Sequence, residues 1–321
     1  MGNNVLKYDK RFHREVKMWV YEEILNGEKL TNIINTRHEN VKYLPGYKLP
    51  ENVIACSDLV ESVKDATLLI FVTPHQFAEG ICNTIKNKIV KNARGVSLMK
   101  GIEIGENGMI LLSKSISDFL GIDVSVLMGA NIANEVADEQ FCESTLGYND
   151  ETAAEIWKIL FHTHYFRISS VNDVAGVELC GALKNVIALA AGFCDGLKQG
   201  QNSKAAIIRL GLIEMKRFCT TFYSGIKSET FLESCGVADV ITSCFGGRNR
   251  RVAEACVLTG KSVQELEIEL LNGQKLQGPL TAKEIHSELV KRNLVHEFPI
   301  FNAVYQICYE NFEPANFLKL I

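Results

Sequence analysis

The first half of the chain alternates between short apolar runs and stretches with helical spacing. Nearly continuous apolar runs predict β-strands at residues 16–20, 53–56, 67–72, 95–99 and 124–128. The run 67–72 is typical of a strand that is buried on both faces of its sheet. Helical patterns occupy the intervals 76–90 and 108–119. Strands that are separated by helices predict βαβ units, and hence a parallel sheet with right-handed connections.

The pattern changes after about residue 170, where apolar positions recur at helical spacing almost to the end of the chain. Helices are predicted at residues 173–198, 203–224, 250–258, 262–271, 281–292 and 299–310. The chain is therefore predicted to consist of an α/β domain of residues 1–170 and an all-helical domain of residues 171–321.

One lysine interrupts the most apolar helical pattern, which spans residues 178–192. Its neighbours three and four residues away on a helix include no counter-ion: Cys180, Gly181, Ile187 and Ala188. If Lys184 is buried, desolvation lowers its pKa towards the range in which it exchanges protons near neutral pH. The alternative is a structural lysine whose aliphatic stem crosses apolar surface and whose ammonium group reaches water.

Polar or unusual residues follow three of the predicted strands. Pro74 and Phe77 follow the strand 67–72, Lys100 follows 95–99, and a Gly-Ala-Asn-Ile-Ala segment follows 124–128. Ligands bind outside the carboxyl ends of the strands in an open parallel sheet, so these residues predict a ligand cleft. Phe77 could cover a flat ring, and the last segment could present backbone N–H groups to an anion.

An acidic pair, Glu22 and Glu23, directly follows the first predicted strand. In dinucleotide-binding folds an acid at this place binds the ribose hydroxyls and repels a 2′-phosphate. The alternative for each glutamate is a solvated turn, and the pattern alone leaves both interpretations open.

Two glycine-rich segments of the helical half have the character of anion sites. The first, residues 243–250, contains two glycines that allow close backbone approach. In the same segment Arg248 offers a planar fork for a phosphate, and Asn249 can cap the next helix. The second segment, residues 271–278, has a similar composition. Each segment alone could be a solvated turn, but together with a buried lysine they predict a phosphorylated ligand.

The composition argues against several other functions. The 321 residues are 47% hydrophobic and 22% charged, which allows a large core, and the net charge of −4 offers no general attraction to nucleic acid or anionic membranes. No apolar run reaches the ~20 residues that span a bilayer, and residues 1–6 lack the apolar segment of a signal peptide. The ten cysteines include no C-x-x-C pair, which fits a reducing cytosol. His162 and His164 have no third ligand nearby, so no metal site is predicted.

From about Val16 to the C-terminus, the chain resembles NAD-dependent glycerol-3-phosphate dehydrogenases of the eukaryotic cytosolic type. The resemblance rests on these segments, in chain order: MWVYEE at 18–23, HENVKYLPG at 38–46, TPHQF at 73–77, LMGANIA at 127–133, CGALKN at 180–185, FGGRNR at 245–250 and LNGQKLQG at 271–278. It implies a Rossmann-type parallel sheet whose first strand is missing, followed by an all-α substrate domain. It also implies a cytoplasmic homodimer that interconverts dihydroxyacetone phosphate and sn-glycerol 3-phosphate with NADH or NAD.

The resemblance also implies roles for individual residues. Lys184 would donate the proton to the substrate carbonyl, and the groups that orient and polarise around it would be Lys100, Asn131 and Asp239. The substrate phosphate would be bound by Arg248, Asn249, Asn185 and Ser243. The NAD site would be lined by Tyr21, Pro74, Phe77, Ala133, Arg248, Lys275 and Gln277. Ser243 stands where the family usually has threonine, and Tyr21 where it commonly has phenylalanine.

The N-terminus departs from the family pattern, because no Gly-x-Gly-x-x-Gly turn precedes Val16 and Gly2 is the single glycine before it. Residues 3–15 would form the tail of the first helix and the connection after it. Without the first strand, we expect either a gap between the strands 16–20 and 67–72 or their direct apposition. A non-catalytic isoform or a regulatory phosphometabolite-binding protein is therefore an alternative to the enzyme. A dehydrogenase of another small hydroxy acid is disfavoured by the phosphate-site residues.

Overall fold

The structure is a computed structural model, and it describes residues 1–105, 108–271 and 274–321. Its strands are β1 (Val16–Trp19), β2 (Ile24–Leu25), β3 (Glu28–Lys29), β4 (Val53–Cys56), β5 (Leu68–Phe71), β6 (Arg94–Ser97), β7 (Glu103–Gly105), β8 (Gly108–Ile110), β9 (Asp123–Met128), β10 (Cys142–Gly147) and β11 (Phe166–Val171). Its helices are α1 (Gly2–Lys7), α2 (Leu30–Arg37), α3 (Leu59–Val63), α4 (Ala78–Ile85), α5 (Leu112–Leu120), α6 (Ala133–Ala137), α7 (Glu151–Phe161), α8 (Val174–Gly196), α9 (Gln201–Phe222), α10 (Asp239–Gly246), α11 (Arg248–Thr259), α12 (Val263–Leu271), α13 (Gln277–Lys291) and α14 (Pro299–Tyr309).

The main sheet has the strand order β11-β10-β9-β6-β5. Its pairs are parallel except for β9 with β10, which is antiparallel. The predicted parallel sheet is thus confirmed for β5, β6 and β9, whose apolar runs are buried between helices. The strands β10 and β11 were not predicted, because polar residues interrupt their apolar runs.

A separate two-stranded parallel sheet joins β1 to β4. Within the described residues, neither strand pairs with β5, so of the two expected arrangements the structure has the gap. Helix α1 docks beside this gap, where Val5 is buried in a cluster with Val96 and Trp157. The amide of Asn4 donates to the carbonyl oxygen of Leu160 over 2.9 Å and thereby ties α1 to the end of α7.

Helix α8 is the centre of the helical half, and α9, α10, α11, α13 and α14 all pack against it. This helix is long and apolar enough to cross a membrane by length and composition alone, although Glu178, Lys184 and Asp195 interrupt its apolar run. Its 23 residues reach a mean hydropathy of 1.6 over the best window. The window is, however, 89% buried inside the protein, so its apolar surface is covered by neighbouring helices.

Two other predicted helices differ from the structure, and one observed helix was not predicted. Residues 108–110 form β8, which pairs antiparallel with β7, instead of the start of a helix. Gly108 has a φ of 115°, a backbone conformation that favours glycine. The helix expected over 76–90 stops at Ile85, shortly before Asn87 with its φ of 63°. Helix α10 was not predicted, because its residues 243–246 were interpreted as part of a glycine-rich loop.

The described part of the chain holds no cluster of three or more histidine, cysteine or carboxylate side chains that could bind a metal ion. His162 has a structural contact, since its Nδ1 accepts a hydrogen bond from the backbone N–H of Ile168 over 3.2 Å. The ten cysteines are all free.

Replacing Asp173 by alanine should lower the free energy of unfolding by about 2–4 kcal/mol. Its buried carboxylate accepts from the N–H of Gly176 (2.8 Å), the N–H of Lys227 (2.9 Å) and the hydroxyl of Thr230 (2.6 Å), so it caps α8 and anchors a distant loop. Urea unfolding would measure the loss. The exposed Asp118, which pairs with Lys114, is the control, and its alanine variant should lose at most about 1 kcal/mol. Equal losses in the two variants would contradict this role.

Candidate active site

Lys184 lies in the middle of α8 and is 8% exposed. Its ammonium group donates to Asp239 Oδ1 over 2.7 Å and to Ser243 Oγ over 2.6 Å. Asp239 and Ser243 are four residues apart on α10, so they present both acceptors from one face of that helix. The lysine therefore does not extend to water. Its counter-ion comes from a helix that is distant in sequence.

A second lysine reaches the same carboxylate from the sheet. Lys100 follows β6, and its Nζ donates to Asp239 Oδ2 over 3.0 Å and to the carbonyl oxygen of Gly129, after β9, over 3.5 Å. Its side chain is 27% exposed, whereas that of Asp239 is 3% exposed. Asp239 thus binds one lysine with each oxygen and joins the strand ends to the helical half.

The pKa of Lys184 is lowered to about 8, chiefly by burial and next by the neighbouring positive charge of Lys100. The carboxylate of Asp239 opposes both effects. An ammonium group with this pKa can give up and regain a proton near neutral pH, which agrees with the expectation from the sequence.

The side-chain amides next to Lys184 form a chain of hydrogen bonds. Gly278 N–H donates to Asn249 Oδ1 over 3.1 Å, and Asn249 Nδ2 donates to Asn185 Oδ1 over 3.0 Å. A Cβ on Gly278 would lie 2.5 Å from Asn249 Oδ1 and 2.8 Å from the carbonyl oxygen of Asn185, so this approach requires glycine. The starts of α11 and α13 are thereby fixed beside the buried lysine.

The basic residues around these amides are more exposed. Arg248 donates to Gln274 Oε1 over 3.1 Å. Lys275, whose side chain is 65% exposed, pairs with the buried carboxylate of Glu267 over 2.7 Å. Gln277 Oε1 is buried without a hydrogen-bond partner in the described structure. Two residues of the segment that carried the resemblance, Asn272 and Gly273, lie outside the described residues.

Four of the seven residues expected at the NAD site lie near the carboxyl ends of β1, β5 and β9 and are exposed: Tyr21, Pro74, Phe77 and Ala133. Tyr21 is 77% exposed and Phe77 is 57% exposed, so both rings present apolar faces to solvent. Asn131 donates to Ser144 Oγ over 2.9 Å. The described hydrogen bonds of Asn131 include none to Lys184, Lys100 or Asp239, so the structure does not join it directly to that group.

Both glutamates of the acidic pair have hydrogen-bond partners within the protein and remain partly exposed. Glu22 accepts from the hydroxyl of Thr31 over 2.7 Å and from its backbone N–H over 3.2 Å. Glu23 pairs with Lys42 and accepts from the hydroxyl of Tyr43. These contacts lower the pKa of both carboxyls, with the hydrogen bonds to Thr31 and Lys42 as the largest causes.

Two supporting residues were missed at the sequence level. Ser144 orients Asn131 from β10, a strand that was not predicted, and Glu267 holds Lys275 from α12. Glu267 gave no local signal, because a glutamate in a helical pattern is usually solvated. Its carboxylate is buried because α12 packs against the rest of the helical half, and this packing cannot be predicted from the local sequence.

Comparison with known proteins assigns the two halves to the same family. The family model described as "NAD-dependent glycerol-3-phosphate dehydrogenase N-terminus" matches residues 3–154, and the model of its C-terminus matches residues 173–319. The chain belongs to the NAD-dependent glycerol-3-phosphate dehydrogenase family. NAD is accordingly the cofactor of the family, and the Rossmann-type sheet followed by a helical domain is its fold.

Individual relatives are similar over nearly the whole chain. The human protein named glycerol-3-phosphate dehydrogenase [NAD(+)], cytoplasmic, is 58% identical over 312 residues, which are 97% of this chain and 89% of that protein. A glycerol-3-phosphate dehydrogenase structure from Saccharomyces cerevisiae is 47% identical with a TM-score of 0.94, over 99% of this chain and 93% of the other. The corresponding structure from Plasmodium falciparum has a TM-score of 0.95 at 45% identity, over 100% and 89% of the two chains.

Replacing Lys100 by methionine should raise the pKa of Lys184 above its value of about 8, because a repelling charge is removed while Asp239 remains. NMR titration of protein labelled with ¹³C at lysine Cε would measure the shift. Methionine in place of Lys114, an exposed lysine that pairs with Asp118, is the matched control and should leave the curve unchanged. An unaltered titration of Lys184 in the Lys100 variant would contradict this electrostatic coupling.

Proposed function

We propose that this chain interconverts dihydroxyacetone phosphate and sn-glycerol 3-phosphate with NADH or NAD as the hydride carrier. The observation that carries the proposal is the buried Lys184, whose pKa is lowered to about 8 and whose counter-ion is Asp239. A soluble-protein core rarely retains a buried lysine without a partner or a role, and here the partner also contacts a second lysine.

Lys184 is the proposed proton donor to the ketone oxygen of the substrate. Hydride addition to a ketone develops negative charge on that oxygen, and a nearby ammonium group both stabilises the charge and delivers a proton. Asp239 holds the ammonium in place, and Lys100 keeps the pKa of Lys184 low. Asn131, oriented by Ser144, is assigned to the same carbonyl.

The substrate phosphate is assigned to the start of α11. Arg248 and Asn249 are the first residues of this helix, and no side chain caps its N-terminus, which begins after Gly247. Free backbone N–H groups and the helix dipole favour an anion there, and the guanidinium of Arg248 adds a paired donor. Asn185 and Ser243 extend the polar surface towards Lys184. Binding energy from the phosphate would orient the ketone.

NAD is assigned to the strand ends, where the exposed residues fit it. The rings of Tyr21 and Phe77 offer apolar faces for its flat bases, and the unpartnered amide oxygen of Gln277 offers an acceptor. Pro74, Ala133, Arg248 and Lys275 would complete the surface that holds it. When bound there, NADH supplies the hydride.

We further propose that the chain acts in the cytoplasm as a homodimer, with residues 1–170 as the cofactor domain and 171–321 as the substrate domain. The support for these assignments is the similarity to cytoplasmic relatives and the break in pattern near residue 170. The small phosphorylated three-carbon substrate follows from membership in the family.

The purified chain should bind NADH saturably and oxidise it when dihydroxyacetone phosphate is added. Nicotinamide fluorescence measures the binding, and the decay of NADH absorbance measures the turnover. Dihydroxyacetone without phosphate serves as the control substrate and should give turnover lower by orders of magnitude. A folded protein that shows no saturable NADH binding up to millimolar concentration would contradict the enzyme and favour a non-catalytic phosphometabolite-binding protein.

Replacing Lys184 by alanine should lower kcat by about 10²–10⁴-fold while the affinity for substrate phosphate changes little, because the variant loses the proton donor and keeps Arg248 and Asn249. Steady-state kinetics and calorimetric titration with sn-glycerol 3-phosphate separate the two effects. Lys216, an exposed lysine of α9, is the control for removal of a lysine. Unchanged turnover in the Lys184 variant would end the role assigned to this residue.

A further inference from the structure

Helices α8 and α11 approach each other unusually closely along a seam of two glycines. A Cβ added to Gly192 would lie 2.2 Å from the carbonyl oxygen of Arg250, and one added to Gly196 would lie 2.6 Å from Val257 Cβ. Real side chains never approach so closely, so the backbone of α11 rests directly on α8. The first turn of α11, which carries Arg248 and Asn249, is therefore positioned by α8.

A buried ion cluster reinforces this seam. Asp195 lies on α8 between the two glycines, and its Oδ2 accepts from Arg250 Nε over 2.6 Å and from Lys204 Nζ over 2.7 Å. The side chains of Asp195 and Lys204 are 14% and 7% exposed. One carboxylate oxygen thus joins α8, α9 and α11 at a place with little solvent screening.

The cluster also reaches the other side of the phosphate segment. Lys204 Nζ lies 4.4 Å from the centre of the Phe245 ring, near the end of α10. Arg250 has a second partner, Glu254, one turn further along α11 at 2.9 Å. Phe245 and Arg250 therefore flank the Gly-Gly-Arg-Asn segment in the chain. Arg250 binds Asp195 directly, and Phe245 contacts Lys204, which is also bound to Asp195.

We propose that Asp195 is a positioning residue for phosphate recognition, acting through Arg250 and Lys204 on the first turn of α11. This inference rests on the proposed function only in naming the phosphate as that of the substrate. Asp195 makes no contact with Lys184, Asp239 or Ser243 among the described hydrogen bonds. Its influence should therefore fall on phosphate binding and not on the proton transfer.

Removing the charge of Asp195 would leave Lys204 without its carboxylate partner beside Arg250, which would retain only Glu254. An asparagine can still accept one hydrogen bond, but it cannot neutralise Lys204 and Arg250 together. Their repulsion would push the first turn of α11 away from α8. A displacement of about 1 Å is enough to weaken an oriented anion site substantially.

The test compares Asp195→Asn with wild type. The affinity for inorganic phosphate and for sn-glycerol 3-phosphate, measured by calorimetry, should fall at least tenfold, and KM for dihydroxyacetone phosphate should rise to match. The value of kcat should stay within about twofold, and the affinity for NADH should fall much less than the affinity for phosphate, because Arg248 is the one residue of this turn that is also assigned to the cofactor. Asp195→Glu, which restores the charge, should recover most of the phosphate affinity.

Arg250→Gln is a second test variant. It leaves Asp195 paired with Lys204, so no buried cation loses its partner and the variant should fold. It should lose phosphate affinity as Asp195→Asn does. Its matched control is Arg251→Gln, since Arg251 is exposed on the same turn and carries the same charge. The control should change phosphate affinity by at most about twofold.

Three results would overturn the proposal. The first is a folded Asp195→Asn protein with unchanged phosphate affinity. The second is an Asp195→Asn protein that loses NADH affinity and kcat in parallel with phosphate affinity. The third is an equal loss in Arg250→Gln and Arg251→Gln, which would assign the effect to net charge. Calorimetry measures phosphate binding without turnover. A chain that fails to reduce dihydroxyacetone phosphate would therefore contradict the proposed function, and the binding measurements would still test the role of Asp195.

Discussion

The carboxylate of Asp239, buried between Lys184 and Lys100, is the interaction on which the rest of the site depends. Moving an ammonium group out of water costs several kcal/mol unless a partner offsets it, and this single carboxylate is shared by two ammonium groups. The cluster therefore keeps an excess of positive charge in a poorly solvated place. That imbalance lowers the pKa of Lys184 and, at the same time, creates a site that favours a developing negative charge.

The glycines of α8 explain how so many elements reach this cluster at once. Gly181 faces Met128 at the end of β9, where a Cβ would come within 2.7 Å of the sulfur, and Gly192 faces the backbone of α11. A side chain at Gly192 would force α8 and α11 apart, and one at Gly181 would require the Met128 side chain to move. Each glycine destabilises the helix by about 1 kcal/mol relative to alanine, and the close packing that it allows around the site offsets this cost.

The sequence predicts those parts of the molecule that local pattern determines. Strands β5, β6 and β9 and the long helix α8 follow from apolar runs and helical spacing, whereas the same pattern left the burial of Lys184 open. The strand β10, the helix α10 and the carboxylate of Glu267 do not, because their polar residues become buried only through distant packing. The pairing of Lys184 with Asp239 joins positions 55 residues apart. A single sequence gives no local sign of such a contact, so the resemblance to a family supplied it.

The two proposed halves of the site differ in burial and in hydrogen bonding. Lys184 is bonded to Asp239 and Asn249 to Asn185, and all four side chains are buried, so the side chains proposed to bind the substrate are well ordered. The aromatic residues of the cofactor half are exposed on strand ends that belong to two separate sheets. Fixing exposed side chains costs about 0.5–1.5 kcal/mol for each one. The buried groups around Lys184 are therefore better ordered than the exposed rings proposed to bind NAD. Ordering these rings would add to the entropy cost of binding the cofactor.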